Sequence, residues 1–248
     1  MRLQLATWQE VDAYLKECNG IIIPIGSTEQ HGPMGLIGTD ALCPEVIADH
    51  VSAEAGILVG PTISIGMAQH HLGFSGSVTL RPTTLIAMIR DYVLSLSRNG
   101  FERFYFLNGH GGNIATLNAA FDEIYAERSM QRGSNQPGLR CRHKDWFAFP
   151  AARRISKECF GDREGSHATP SEISITQYAY PDAIKSMPED RAEKPVRHFT
   201  DADDYRALYP DGRIGADSFL ASPEVGERLV KECAKEIIED FNGFVAQP

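Results

Sequence analysis

Glu29, His31 and Asp40 stand close together in the stretch IIIPIGSTEQHGPMGLIGTD, which spans residues 21–40. Glu29 and His31 are two positions apart, so in an extended segment their side chains point to the same side. Asp40 follows a loop rich in glycine and proline, which can fold back towards them. Carboxylates and imidazoles without a nearby cysteine suit a divalent ion such as Zn2+, Mn2+ or Fe2+. The stretch therefore predicts a metal site.

A further histidine, His110, lies in the stretch LNGHGGN, between glycines that let the backbone approach a metal or a substrate closely. Each polar residue also has an ordinary structural explanation. Asp40 would cap one helix and Asn113 the next. Glu29 and His31 would be polar loop residues. Their occurrence together, beyond the ends of two predicted strands, favours a functional site.

Helical and strand patterns alternate along the chain, which predicts a mostly parallel sheet covered by helices. In such sheets ligands bind beyond the carboxyl ends of the strands, where both polar clusters fall. The predicted strands are residues 21–25, one or two short strands within 57–66, residues 101–108 and residues 138–146. The first predicted helix begins with a Thr7–Glu10 capping box and ends near residue 19. The other predicted helices cover about residues 41–55, 81–100, 113–129, 170–180 and 222–242. Residues 181–217 lack firm periodicity and are interpreted as a long excursion, either a lid or a subunit contact.

The stretch GSHATPSEIS contains a third group of polar residues. Thr169 fits a helix cap, Pro170 fits the first turn, and Glu172 fits the residue that reaches back to the cap. By pattern alone, neither Glu172 nor His167 has a ligand role.

The composition excludes several classes of protein. The chain has 248 residues with 42% hydrophobic and 23% charged residues, and we expect one α/β domain over residues 1–248. A net charge of −9 argues against nucleic acid and anionic membranes as partners. The five cysteines form no CxxC pair, the first residues lack the apolar region of a signal peptide, and no apolar run could span a bilayer. We therefore expect a cytoplasmic protein with reduced thiols.

Four stretches resemble, in order, the motifs of the creatininase (creatinine amidohydrolase) family: PIGSTEQHGPMGLIGTD, GFSGSVTL, LNGHGGN and HATPSEIS. The resemblance covers about residues 20–180. It implies a three-layer α/β/α sandwich with a mostly parallel central sheet. It also implies two divalent metal ions, Zn2+ or Mn2+ with Fe2+ as a further option, a small-molecule amide substrate, and a homo-oligomer that is usually a hexamer.

The resemblance also implies roles for individual residues. The implied metal ligands are Glu29, His31, Asp40, His110 and Glu172, with Asp40 bridging the two ions. His167 is the implied proton donor to the leaving nitrogen, and Glu172 is counted with it as catalytic. The expected substrate contacts are Trp146, Gly111 and Gly112.

The implied reaction is hydrolysis of a cyclic amide C–N bond, from creatinine to creatine or in a related small lactam, by a hydroxide that bridges the two metals. The chain departs from creatininase at Gly112, where that enzyme carries an acidic residue. It also departs at Arg163 and Ser166, where that enzyme carries tryptophan and glutamate. Arg163 could favour an anionic substrate, and the pair His70-His71 could line the site.

Two other functions stay open. The same metal ligands could serve a hydrolase of formamides or short peptides. Alternatively, the chain could be a non-enzymatic nucleotide-binding α/β module whose NGHGGN turn holds a phosphate at a helix N-terminus.

Overall fold

Three parallel strands form the central sheet of the computed structural model, which describes residues 1–130, 138–192 and 198–247. The sheet order is β1-β2-β3, with strands at Gly20–Ile25, Arg103–Asn108 and Arg140–Asp145. The register pairs Ile25 with Asn108 and Asn108 with Asp145, so the carboxyl ends of all three strands are level. This alignment brings the residues that follow each strand to one edge.

The segment expected to hold one or two strands within 57–66 forms only isolated bridges along the free edge of β1. Ile22 N donates to Leu58 O at 3.0 Å, and Ile63 N donates to Pro24 O at 2.9 Å. Gly60-Pro61 lies between these bonds, and a proline has no backbone N–H for a continuous ladder. The segment is parallel to β1 but is too interrupted to count as a strand.

Eight helices are present in the described part of the chain. They are α1 Trp8–Leu15, α2 Thr39–Ala55, α3 Pro82–Ser97, α4 Ile114–Met130, α5 Pro150–Cys159, α6 Pro170–Ala179, α7 Ala202–Leu208 and α8 Pro223–Val245. Short 3-10 helices lie before α1 and between later helices, at Leu3–Leu5, Gln69–His71, Gly111–Asn113, Trp146–Ala148, Gly161–Arg163, Pro181–Ala183 and Ser218–Leu220. None of the helices in these ranges is long and apolar enough to cross a bilayer.

Helices cover both faces of the sheet because side chains alternate along each strand. Ile21 and Ile23 pack into a core with α3 and α4, whereas Ile22 and Tyr105 pack into a second core with α2 and α8. The predicted three-layer α/β/α sandwich with a parallel sheet is therefore confirmed.

The predicted Thr7–Glu10 capping box is confirmed, although α1 ends at Leu15, before the expected residue 19. Helices α5 and α7 were not predicted. Helix α5 has an amphipathic pattern, with Ala151, Ala152 and Ile155 buried opposite its charged residues, but it is only ten residues long. Helix α7 lies inside the polar excursion, where Asp201 caps it.

Candidate metal centre

Two glycines bring the start of α2 directly onto the ends of β1 and β2. A Cβ atom at Gly26 or at Gly109 would lie 2.0 Å from the backbone oxygen of Asp40. Only glycine permits this approach, and it places Asp40 over the strand ends. Gly38 is the N-cap of α2, and Asp40 lies in the first helical turn with its side chain directed to two histidines. The explanation of Asp40 as a helix cap is therefore wrong.

Glu29, Asp40 and His110 form one group of possible metal ligands. His110 Nδ1 lies 2.8 Å from Asp40 Oδ2, and His110 Nε2 lies 3.4 Å from Glu29 Oε2. One ligand atom from each residue falls within 4.8 Å of the others. All three side chains are buried, so the group is enclosed in protein.

His31, Asp40 and Glu172 form an adjacent group. His31 Nε2 lies 3.0 Å from Asp40 Oδ1 and 3.8 Å from Glu172 Oε1. Asp40 therefore belongs to both groups and presents a different carboxylate oxygen to the histidine of each. This geometry is compatible with two cation positions that share the carboxylate of Asp40.

His167 enters a third group, with Glu29 and His31. Its Nε2–H donates to the backbone oxygen of Gln30 at 2.8 Å, which leaves Nδ1 facing Glu29 Oε1 at 3.8 Å. Burial holds the pKa of His167 well below its usual value. The residue expected to act as the proton donor thus also has a nitrogen lone pair directed at the ligand cluster.

The cluster fits a divalent cation. The carboxylates of Glu29 and Asp40 are buried, with His71 Nε2 at 3.0 Å from Glu29 Oε1 and His110 Nδ1 at 2.8 Å from Asp40 Oδ2. Buried carboxylates gathered in this way are costly unless positive charge lies between them. His31 Nδ1 donates to the Glu29 carbonyl at 3.0 Å and His110 Nε2 donates to the Met67 carbonyl at 2.8 Å. Backbone acceptors of this kind fix a histidine so that its other nitrogen faces a metal.

The buried carboxylates draw positive charge into the cluster. Burial alone lowers the pKa of His31, but Asp40 and Glu172 outweigh it and raise that pKa to about 10. In the same way the pKa of His110 rises to about 9 against the effect of burial. Burial would raise the pKa of Asp40, yet these two imidazolium groups hold it well below its usual range. Burial raises the pKa of Glu29 to about 8.

A network that includes the excursion stands behind Glu29. His71 Nε2 lies 3.0 Å from Glu29 Oε1, and the Gln30 side-chain amide donates to His71 Nδ1 at 3.0 Å. The same amide donates to Gly212 O at 2.9 Å, as does the Tyr205 hydroxyl at 2.8 Å. The expectation that His71 borders the site agrees with this placement, whereas nothing in the sequence pattern pointed to Gln30 or Tyr205.

Glu172 is a helix-capping residue and a member of the cluster at the same time. Its Oε1 accepts a hydrogen bond from Thr169 N at 2.6 Å, which completes the predicted capping box of α6. The same oxygen is the one that faces His31. Asn113 is not a helix cap: its amide donates to Gly26 O at 2.9 Å and accepts from Met67 N at 3.0 Å.

A cavity of about 830 Å3 opens from the cluster. Asp40, His110, His167 and Glu172 line its inner end, and both Trp146 and Gly111 line its wall. These last two are the expected substrate contacts that the structure places at the cavity.

Gly112, the third expected substrate contact, does not line this cavity and lies behind His110. A Cβ atom there would lie 2.4 Å from His110 Nε2 and 2.6 Å from Met67 O. The hydrogen bond between these two groups thus occupies the space that an acidic side chain at position 112 would need.

Arg163 does not enter the cavity wall either. It is bonded to Asp217 at 2.6 Å, and its guanidinium lies over the ring of Phe219. The cation that the sequence indicated for an anionic substrate is therefore already paired.

A parallel α/β sheet with carboxylates and histidines gathered beyond its strand ends is compatible with a metal-dependent hydrolase. The chain belongs to the creatininase family, because the family model of creatininase, described as creatinine amidohydrolase, matches residues 4–241.

Curated relatives have different activities. A 3-dehydro-scyllo-inosose hydrolase of Thermotoga maritima is 34% identical over 109 residues, which cover 44% of this chain and 35% of that protein. A mycofactocin precursor peptide peptidase of Mycolicibacterium smegmatis is 35% identical over 106 residues, which cover 40% of this chain and 42% of that protein. Each match thus spans less than half of the relative. The creatinine amidohydrolase of Pseudomonas putida is 25% identical over 243 residues, covering 94% of this chain and 93% of that protein.

Solved creatininases share the fold at low sequence identity. A structure described as creatininase Mn is 22% identical, with a TM-score of 0.84 and 99% of both chains covered. A mutant creatininase of Zn-Zn type is also 22% identical, with a TM-score of 0.85, and covers 99% of this chain and 98% of that chain.

Proposed function

We propose that the protein is a metal-dependent amidohydrolase that cleaves a C–N bond of a small cyclic amide, creatinine or a related lactam. The observation that carries this proposal is Asp40, whose two carboxylate oxygens face histidines of two adjacent ligand groups. Membership of the creatininase family and the manganese and zinc forms of the related structures support it.

We assign Glu29, Asp40 and His110 to one metal ion, and His31, Asp40 and Glu172 to the other. Zn2+ and Mn2+ are the ions that this donor set and the related structures favour. Such a pair of ions supplies an activated water at neutral pH and polarises the amide carbonyl. The residues of the chain hold the ions, orient the substrate and exclude bulk water.

His167 is the proposed proton donor to the departing nitrogen. It lines the cavity, and the backbone oxygen of Gln30 fixes its ring through Nε2. Because burial keeps the ring neutral with its proton on Nε2, Nδ1 would first take up the proton that the attacking water loses and then pass it to the departing nitrogen. General acid transfer from such a positioned group contributes about 10²–10⁴-fold to a rate.

A second candidate is hydrolysis of a formamide or a short peptide at the same metal centre. One observation favours it: one of the relatives is a peptide peptidase. The cavity of about 830 Å3 has an ordinary volume for a ligand pocket and admits either kind of substrate. A nucleotide-binding module fits less well, because the buried carboxylate of Glu29 lies beside the NGHGGN turn and would repel a phosphate.

The test is a matched substrate panel with protein loaded with Zn2+ or Mn2+. The panel holds creatinine, other lactams, N-formyl amines and dipeptides, with release of the amine or acid as the readout. We expect turnover of at least one class by the wild type and none by Asp40→Asn. No turnover of any class by fully loaded protein would contradict the proposal.

A further inference from the structure

Helix α5 presents two cations to the substrate cavity. Arg153 and Lys157 are one helical turn apart, so they lie on the same face of the helix, and both line the cavity that the metal cluster also borders. Both side chains are exposed. They therefore reach the cavity from its outer part, whereas the buried ligands form its inner end.

Neither cation has an ionic partner. Within the described residues, neither Arg153 nor Lys157 forms an ion pair with a carboxylate. Neither side chain forms a hydrogen bond with another described group of the protein. The neighbouring Arg154, which faces away from the cavity, pairs with Glu158 at 3.9 Å and Glu232 at 3.7 Å.

Two carboxylates also line the cavity, Asp162 and Glu164. Both come from the segment after α5, and Glu164 accepts a hydrogen bond from the Ser171 hydroxyl beside α6. Of these two, Glu164 forms no ion pair with Arg153 or Lys157 within the described residues.

We propose that Arg153 and Lys157 form a subsite for an anionic oxygen group of the substrate, a carboxylate or a phosphate, remote from the C–N bond that is cleaved. The inference rests on the proposed function and specifies its substrate class. An arginine fork and an ammonium group one turn apart suit such a group, because arginine binds oxyanions in a bidentate way and lysine adds a point charge.

The test uses hydroxamates, which bind divalent metals, as probes of the loaded protein. A series of dicarboxylic acid monohydroxamates, from malonic to adipic, carries the metal-binding group at one end and a carboxylate at the other. Each is compared by calorimetry with the hydroxamate whose far carboxylate is replaced by a carboxamide. A phosphonate-ended hydroxamate of the same length distinguishes phosphate from carboxylate.

We expect at least one acid in the series to bind about tenfold more tightly than its carboxamide, with a preference that weakens as salt is raised. Arg153→Gln and Lys157→Gln should each reduce the ratio of the acid's affinity to the carboxamide's affinity several-fold, while leaving the affinity for the carboxamide unchanged. Arg154→Gln is the matched control and should keep the wild-type ratio.

The outcomes separate the two claims. If acids and carboxamides bind equally at every length, the subsite is refuted and the metal centre stands. The subsite is also refuted if the preference survives in both α5 variants. If no hydroxamate binds to protein incubated with Zn2+ or Mn2+, the proposed metal centre itself is wrong.

Discussion

At the scale of single residues, the site is defined by buried carboxylates. Glu29 is fully buried, with His71 Nε2 at 3.0 Å from one of its oxygens and His110 Nε2 at 3.4 Å from the other. Asp40 is buried with a histidine nitrogen close to each of its oxygens. A protein that used these residues only for packing would gain by replacing them with apolar ones. Binding of cations is the reason that we propose for keeping them.

The pH dependence of metal binding follows from the raised pKa values of His31 and His110. In metal-free protein these pKa values are about 10 and about 9, so both rings are positively charged imidazolium groups at pH 7. A metal ion binds only the neutral imidazole. Metal binding should therefore release protons, and the apparent affinity should increase as the pH rises from 7 towards 9. Calorimetry in buffers of different ionisation enthalpy measures the release. Binding without proton release would contradict these assignments.

His71 should act on the metal through Glu29. Its Nε2 lies 3.0 Å from Glu29 Oε1, and Gln30 fixes its ring from the other side. Replacing groups that orient a metal ligand typically weakens metal binding about 10–100-fold. His71→Ala should show a loss of this size in a competition titration with a metal chelator, whereas His50→Ala, at the surface of α2, should show none. Equal affinities in the two variants would remove His71 from the site.

At the scale of secondary-structure elements, each ligand is placed by the end of a strand or the start of a helix. Asp40 sits in the first turn of α2, and Glu172 in the first turn of α6. Helix N-termini carry partial positive charge, which stabilises carboxylates there. A single glutamate can therefore cap α6 and face the cluster.

The double role of Glu172 predicts different effects for two substitutions. Glu172→Gln keeps an oxygen that can accept from Thr169 N but removes the charge, so it should lose metal affinity with little loss of stability. Glu172→Ala should lose both, at a cost of about 1 kcal/mol in the free energy of unfolding of the metal-free protein. Urea denaturation of the two metal-free variants compares them. Equal stability would show that the capping contact contributes nothing.

Local pattern was enough to predict most of these elements. Strand β1 and the residues after it could be predicted because the signal, a short apolar run followed by Glu-x-His, lies entirely in consecutive residues. The capping boxes of α1 and α6 could be predicted for the same reason. The contact of Gln30 with Gly212 joins residues far apart in the chain and depends on how the excursion folds, which no local spacing encodes. The placement of Arg153 and Lys157 at the cavity could not be predicted either, because helix α5 was not predicted.

At the scale of the whole molecule, the described parts of the excursion, residues 181–192 and 198–217, include an aromatic cluster that packs against the site. The Tyr205 ring is fully buried, with its centroid 4.7 Å from that of His71 and 4.9 Å from that of Phe199. Arg163 and Asp217 join the end of the excursion to the segment before His167. The hexameric assembly that the family resemblance implies, and a role of the excursion as a lid or subunit contact, stay predictions.

Tyr205 should hold the excursion in place. Tyr205→Ala removes a buried ring and should cost about 3–5 kcal/mol of unfolding free energy. Tyr205→Phe removes the bond to Gly212 O and the longer bond from the Gln30 amide at 3.4 Å, and should cost about 1 kcal/mol. Chemical denaturation of the metal-free variants gives both values. A loss below about 1 kcal/mol for the alanine variant would mean that the excursion is not packed as described.

The most direct test of the central claim is the metal content of the protein. Purified wild type and Asp40→Asn are incubated with Zn2+ or Mn2+, dialysed extensively, and analysed by plasma mass spectrometry together with protein concentration. The shared carboxylate predicts about two ions per chain in the wild type and the loss of both in the variant. A wild type without bound metal, or an Asp40→Asn variant that keeps both ions, would contradict the account.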